Sequence, residues 1–114
     1  MILDTNAVSA FFEEVPAVCK AVGESEVLAV PGIVLGEYRF GLSGSRLQAE
    51  LEAKLGRLER LADILCVDAD TARHYAAIRR ELKDAGTPIP DNDVWIAALV
   101  RHPHRLVNGF EVAG

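Results

Sequence analysis

The sequence predicts an α/β protein in three layers, with a central, mostly parallel β-sheet flanked by α-helices. Short apolar runs that suit buried strands alternate along the chain with longer segments of helical periodicity. Half of the 114 residues are hydrophobic and a quarter are charged, which favours a packed core over disorder. We therefore predict one domain over residues 1–114.

The predicted strands are the apolar runs at residues 1–3, 27–30 and 64–67. Pro16 opens one predicted helix, and leucines recur every three or four residues between Leu47 and Leu61 in another. Helices are predicted over residues 7–12, 15–23, 33–42, 46–62, 69–84 and from 91 to just before 103. Because ligands bind beyond the carboxyl ends of parallel strands, polar residues that follow the strands become the candidate site residues.

The charge and cysteine content narrow the class of protein. The chain has 17 acidic and 12 basic residues, a net charge of −5, which argues against coating nucleic acid through bulk charge. Nucleic acid stays open as a substrate, because divalent cations invert the charge of a carboxylate site. Neither Cys19 nor Cys66 has another Cys or a His at the spacing of a zinc site or a redox pair. We therefore expect buried thiols in a reducing compartment. Without an apolar stretch near the length of about 20 residues that a membrane span needs, we expect a cytoplasmic protein that does not enter the membrane.

Two acidic residues stand out in the first half of the chain. Asp4 directly follows the first predicted strand, where its carboxylate either stands at the sheet edge as a ligand or caps the next helix. Glu37 shares a predicted helix face with Ile33 and Phe40. An acid on an apolar face needs a metal ion or an arginine such as Arg39, and both readings remain open.

A third acidic group opens the last predicted helix, in the run Asp91, Asn92 and Asp93. The residues that follow, 95–100, are apolar almost all round, so we expect them to be buried. Asp91 is predicted to cap this helix, whereas Asp93 lies in its first turn and can bind a cation there.

Asp4, Glu37 and Asp93 together predict a site for a hard cation. Carboxylate oxygens are the ligands that Mg²⁺ or Mn²⁺ prefers, together with retained water and substrate phosphate. Zinc is disfavoured, because no H-E-x-x-H spacing occurs among the three histidines, which are His74, His102 and His104.

Three blocks of the sequence, taken in order, resemble the signature of PIN-domain ribonucleases and, more narrowly, of the VapC toxins of type II toxin–antitoxin operons. The blocks are residues 1–6, 34–41 and 89–98. The resemblance makes Asp4, Glu37 and Asp93 the metal-binding catalytic carboxylates. It also implies supporting polar groups, namely Thr5, Asn6 and Asn92.

The resemblance implies a PIN-like fold and an endoribonuclease that depends on Mg²⁺ or Mn²⁺ and hydrolyses RNA with a metal-activated water. It further implies a homodimer and a VapB-like antitoxin as partner. Arg39 is a candidate RNA contact, as are three basic residues of a later helix, Arg79, Arg80 and Lys83. Two alternatives stay open: a catalytically degenerate PIN-fold binding module, and another metal-dependent phosphoryl hydrolase with Asp4 as nucleophile.

The end of the chain departs from the family pattern. Family members commonly supply a fourth acidic or amide ligand from a segment after the last helix. Here residues 105–112 are too few for that loop and a closing strand, so the segment after about residue 104 looks shortened. Either the native gene has lost the loop, or a disordered stretch of the chain is missing from the printed sequence, and we favour the second. Asn108 and Glu111 are poor candidates, and the fourth ligand is left unassigned.

Overall fold

The structure, a computed structural model, describes residues 1–101 and the backbone of residues 106–107 and 110–111. The chain forms two compact units, Met1–Ile64 and Leu65–Gly114. The single domain over residues 1–114 therefore stays a prediction. Within the described residues, no helix combines the length and the apolar character that crossing a membrane requires.

The first unit contains four helices and two short strands, the second of which extends one residue past its end. They are α1 (Thr5–Phe12), α2 (Pro16–Glu24), β1 (Ala29–Pro31), α3 (Gly32–Leu42), α4 (Gln48–Leu61) and β2 (Asp63–Leu65). The second unit contains α5 (Ala69–Ala85), α6 (Asp91–Arg101), β3 (Leu106–Val107) and β4 (Phe110–Glu111). All six predicted helices are present, with ends close to those that capping residues and periodicity indicate.

The predicted first strand is reduced to one parallel bridge, between Ile2 and Ala29. Leu3 N donates to Ala29 O at 2.9 Å, and Ala29 N donates to Met1 O at 2.8 Å. Strands β1 and β2 pair with each other in a two-stranded sheet. The first run cannot extend further because α1 begins at Thr5, directly after Asp4. The α/β class is confirmed, but its strands are shorter than the apolar runs.

The core of the first unit is built by buried residues from α1, β1, α3 and α4: Val8, Phe12, Val30, Val34, Leu35, Tyr38, Leu42, Leu55 and Leu58. The rings of Phe12 and Tyr38 meet edge to face at 5.5 Å, an arrangement that aromatic pairs favour. Burial, with a smaller effect of Glu13, raises the pKa of Tyr38. Only part of the leucine stripe enters this core, since Leu47 is 46% and Leu61 is 78% exposed.

The second unit is organised around the packing of α5 on α6, where Ile78, Val94 and Ala98 are buried together. Helix α5 begins with a capping box, in which Asp68 Oδ1 accepts from Thr71 N at 2.8 Å. It ends at Gly86, whose φ of 71° lies in the left-handed region that glycine tolerates best. Strands β3 and β4 pair antiparallel. Three residues that the sequence singled out lie outside the described residues: His102, His104 and Asn108.

Two expectations about burial are wrong. Cys66 is exposed and Cys19 is half-buried, so the thiols are not core residues. In the run 95–100, only Ala98 and Leu99 are buried, while Trp95 and the other three are half-buried. The packing partner described for α6 is α5, so one face of the helix is covered even though its sequence is apolar all round.

Candidate active site

Asp4 stands at the N-terminus of α1 as its cap. Its backbone is extended, and its Oδ1 accepts a hydrogen bond from Ala7 N at 2.8 Å. The predicted cap is therefore confirmed. Asp4 is also exposed, and a carboxylate has two oxygens with several lone pairs. Capping the helix leaves the second oxygen available to a cation, so the two readings of Asp4 are compatible.

Glu37 is joined to the same end of α1 by a hydrogen bond. Thr5 Oγ1 donates to Glu37 Oε1 at 3.0 Å, which links α1 to α3 between two half-buried side chains. Because Thr5 directly follows Asp4, this bond brings the carboxylate of Glu37 to the N-terminal end of α1. A hydroxyl orients a carboxylate but does not neutralise it, so the charge of Glu37 still calls for a cation.

Arg39 does not supply that cation. Its Nε lies 2.6 Å from Glu52 Oε1 and its Nη1 lies 2.5 Å from Glu59 Oε1, both on α4. The hydrogen bonds to Glu52 and then Glu59 raise the pKa of Arg39. The alternative in which Arg39 neutralises Glu37 is therefore not the arrangement found. RNA would have to compete with two carboxylates for Arg39, and that contact stays a prediction.

In the second unit, Asp93 lies exposed in the first turn of α6, with its N donating to Pro90 O at 3.0 Å. Asp91 is the first residue of this helix and not the cap that the sequence predicted. Its carboxylate instead accepts from the hydroxyl of Tyr75 and lies 3.6 Å from Arg79 Nη1. Asp91 thus ties the start of α6 to the side of α5.

Tyr75 is a residue that sequence reasoning missed. Its ring stacks on Trp95 with centroids 3.8 Å apart, and Arg79 Nη1 donates to its hydroxyl oxygen at 2.6 Å. The hydrogen bond to Asp91 is the largest cause that raises the pKa of Tyr75, and Arg79 opposes it. The spacing of Tyr75 and Arg79, four residues apart on one helix, was the available signal that they share a face.

The oxygen donors of the first unit have the chemistry that a hard divalent cation needs. Mg²⁺ is usually held by one or two protein carboxylates, with waters and substrate phosphates completing the shell. Asp4 and Glu37 meet that requirement, and Thr5 supports Glu37. Over the described ranges, no three His, Cys, Asp or Glu side chains are grouped as a metal site. The third ligand, Asp93, and the supporting roles of Asn6 and Asn92 stay predictions.

The first unit also contains a groove between α1, α2 and α4, with a volume of about 350 Å³. We call it the apolar groove. Lys54, Arg57 and Glu14 supply its polar groups, and its remaining walls are Phe11, Phe12, Cys19, Val22, Leu28, Leu58 and Leu61. Leu61 is largely exposed along it. Phe11 and Phe12 thus share the groove with Leu58 and Leu61, two of the leucines that recur along α4.

The PIN domain family matches residues 1–104 of the chain. The fold, the acidic cap of the first helix and the acidic residue within the third helix agree with that match. This chain belongs to the PIN-domain family. Within that family it falls in the group of VapC ribonucleases, as its similarity to individual members shows.

One such relative is the VapC ribonuclease Y4jK of Sinorhizobium fredii, 31% identical over 129 aligned positions that cover 99% of this chain and 84% of that protein. Ribonuclease VapC5 of Mycobacterium tuberculosis is 35% identical over 74 residues, which is 63% of this chain. The aligned region spans only 55% of VapC5 and 58% of ribonuclease VapC2 of Rickettsia felis.

Solved structures agree with the fold. VapBC2 from Rickettsia felis, bound to a DNA fragment from its promoter, superposes with a TM-score of 0.77 at 26% identity over 87% of this chain and 77% of that one. VapBC-1 from nontypeable Haemophilus influenzae gives 0.75 at 25% identity over the same shares. The PIN-like fold is confirmed.

The alignment with Y4jK also bears on the end of the chain. It extends over 129 positions, more than the 114 residues available, so that relative has residues without a counterpart here. The shortened segment after about residue 104 remains a prediction.

Proposed function

We propose that this chain is an endoribonuclease dependent on Mg²⁺ or Mn²⁺ and the toxin component of a VapBC-type toxin–antitoxin system, acting in the cytoplasm. The observation that carries the proposal is the hydrogen bond from Thr5 to Glu37, which brings a second carboxylate to the helix end where Asp4 lies. Membership in a group whose relatives are named ribonucleases supports the same activity.

The proposed chemistry assigns distinct tasks to the side chains. A bound divalent cation supplies an activated water and stabilises charge on the scissile phosphate. Asp4 and Glu37 provide the negative oxygens that hold it, and Asp93 is proposed as the third. Thr5 holds Glu37 in one orientation before substrate arrives, so less ordering is needed at the site.

The direct test is cleavage of a panel of single-stranded RNAs with Mn²⁺ or Mg²⁺ by wild type, Asp4→Asn and Asp93→Asn. Asparagine caps a helix as well as aspartate does, so Asp4→Asn removes the ligand charge and keeps α1. We expect each variant to lose about 100-fold or more in rate, since several kcal/mol of charge stabilisation depend on the ion. Asp84→Asn, which removes an exposed carboxylate paired only with Arg80 among the described residues, is the matched control.

The outcomes separate the alternatives. Equal cleavage by wild type and both asparagine variants contradicts the carboxylate site. Covalent phosphorylation of Asp4 supports the phosphoryl hydrolase instead. A wild-type chain that binds RNA but does not cleave it with either metal supports the degenerate binding module.

We further propose a VapB-like antitoxin as partner, with this chain as a homodimer in the complex. The solved relatives are VapBC complexes, in which toxin and antitoxin are both present. We propose the apolar groove as the antitoxin-binding site, because an exposed apolar surface of this kind is typical of a protein–protein interface. Lys54 and Arg57 at its edge favour a partner segment with acidic residues.

A further inference from the structure

We propose that the cavity between α5 and α6 of the second unit binds one nucleotide of the RNA substrate, with its phosphate on Arg79 and Lys83. We call this cavity the α5–α6 pocket. The inference rests on the proposed ribonuclease function and adds a binding subsite to it.

The α5–α6 pocket has the size and the lining of a ligand site. Its volume is about 510 Å³, within the range of about 300–1,000 Å³ typical of small-molecule sites. Two cations and one carboxylate, Arg79, Lys83 and Asp91, lie among four apolar residues, Leu82, Pro88, Ile89 and Val94. A ligand with both an anionic group and an apolar ring face fits this mixture better than a simple anion does.

The charge of the pocket opposes that of the chain. The lining carries two positive charges and one negative charge, whereas the whole chain has a net charge of −5. Arg79 and Asp91 form an exposed pair at 3.6 Å, and such pairs contribute little. Within the part of the chain that the structure describes, Lys83 Nζ has no hydrogen-bond or ion-pair partner. Lys83 is therefore available to a phosphate, and Arg79, whose Nη1 donates to Tyr75, can bind one through its other N–H groups.

The apolar lining is suited to a base or a ribose. Val94 is buried beneath the pocket, Leu82 is half-buried, and Ile89 is exposed at its edge. A base that enters covers these side chains and removes apolar surface from water. This contact does not depend on charge, so the pocket combines two kinds of interaction that can be measured apart.

The wall that carries Arg79 is held in place before any ligand binds. Tyr75 stacks on Trp95, and the Arg79 guanidinium lies 5.8 Å from the centre of the Tyr75 ring. Asp91 accepts from the hydroxyl of Tyr75. Because Asp91 and Val94 flank Asp93 in the first turn of α6, an RNA strand seated in the pocket passes the turn that carries the predicted metal ligand.

The test measures binding of a short, fluorescein-labelled single-stranded RNA by anisotropy in EDTA, where metal-dependent cleavage cannot occur. The pocket variant is Arg79→Gln with Lys83→Gln. The control is Arg73→Gln with Arg46→Gln, which removes two exposed cations that lie outside the pocket lining. Both double variants change the net charge equally.

We expect the pocket variant to bind about 10-fold or more weakly and to lower the slope of log K against log salt by about two, since two phosphate contacts are lost. The control binds as wild type does. Ile89→Ser weakens binding without changing that slope. In Mn²⁺, the pocket variant shows a raised KM with an unchanged kcat.

If the pocket and control variants lose the same RNA affinity, the inference is overturned, because the loss of bulk positive charge then explains both results. The inference is also overturned if the pocket variant binds RNA as wild type does, including the case in which that variant loses only antitoxin binding. If wild type cleaves RNA in these cases, the ribonuclease proposal stands. If wild type binds RNA through the pocket but does not cleave it with Mn²⁺, the ribonuclease proposal fails and the subsite stands.

Discussion

Single residues at the end of α1 determine whether a metal site can form. Asp4, Glu37 and Asp93 are predicted as ligands from the sequence because they follow a strand, lie on an apolar helix face and open a buried helix, although Asp4 also caps α1. The contact between Thr5 and Glu37 was not predicted, since it joins residues 32 positions apart. The partners of Arg39 were also missed, because the packing of α4 against α3 brings Glu52 and Glu59 to it.

At this scale we predict that Thr5→Val lowers both Mn²⁺ affinity and RNA cleavage. Valine keeps the shape of threonine but cannot donate to Glu37, so the carboxylate loses its fixed orientation. Loss of such a supporting contact typically costs about 10–100-fold in metal affinity or activity. Calorimetric titration with Mn²⁺ measures the first effect and a cleavage assay the second.

Thr5→Ser is the informative companion, because it retains the hydroxyl and should remain near wild type in both assays. Thr87→Val, at an exposed threonine after α5, controls for the substitution itself. If Thr5→Val and Thr5→Ser bind Mn²⁺ equally well, the hydroxyl does not position Glu37 for the metal.

Helices were the elements most accurately predicted, because their ends depend on local signals. Asp68 caps the start of α5 and Gly86 its end, and Asp4 caps the start of α1, as their side chains and backbone preferences indicate. The strands were overestimated, since an apolar run shows that a segment is buried but not how far it pairs. Residues 1–3 contribute one bridge for this reason.

At the scale of elements we predict opposite effects of glycine-to-alanine changes at two helix positions. Gly86 ends α5 with a φ of 71°, where a Cβ is strained, so Gly86→Ala should lower the free energy of unfolding by about 1 kcal/mol. Gly56 lies inside α4, and a Cβ there meets only Arg60 Nη1, at 3.8 Å. Gly56→Ala should raise the free energy of unfolding by about 0.5–1 kcal/mol.

Urea unfolding followed by circular dichroism measures both changes under one set of conditions. The two variants add the same methyl group, so hydrophobicity cannot explain opposite signs. A stabilising Gly86→Ala would contradict the left-handed end of α5.

At the scale of the whole molecule, the prediction concerns the antitoxin that we propose binds in the apolar groove of the first unit. We predict that Leu61→Arg weakens co-purification with a co-expressed VapB-like antitoxin encoded beside this chain. Leu61 lines the groove and is 78% exposed, so arginine places a charge on the surface that the antitoxin would cover. A buried, unpaired charge typically costs several kcal/mol in an interface, enough to reduce affinity by about 100-fold or more.

Leu47→Arg is the matched control, since Leu47 is also an exposed leucine next to α4 but does not line the groove. We expect it to co-purify with the antitoxin as wild type does. Retention of the antitoxin by Leu61→Arg at the wild-type level would place the contact elsewhere.

The sequence by itself determined the α/β class, the six helices and the resemblance to PIN-domain ribonucleases, and it predicts three acidic residues as metal ligands. These properties depend on local periodicity, capping and residue type, which a linear pattern contains. Only the tertiary structure decided that Thr5 donates to Glu37 and that Arg39 pairs with carboxylates of α4. It also decided that Arg79, which donates to Tyr75, lines the α5–α6 pocket. Those contacts depend on which helix faces meet, and helix packing is set by side chains distant in the sequence.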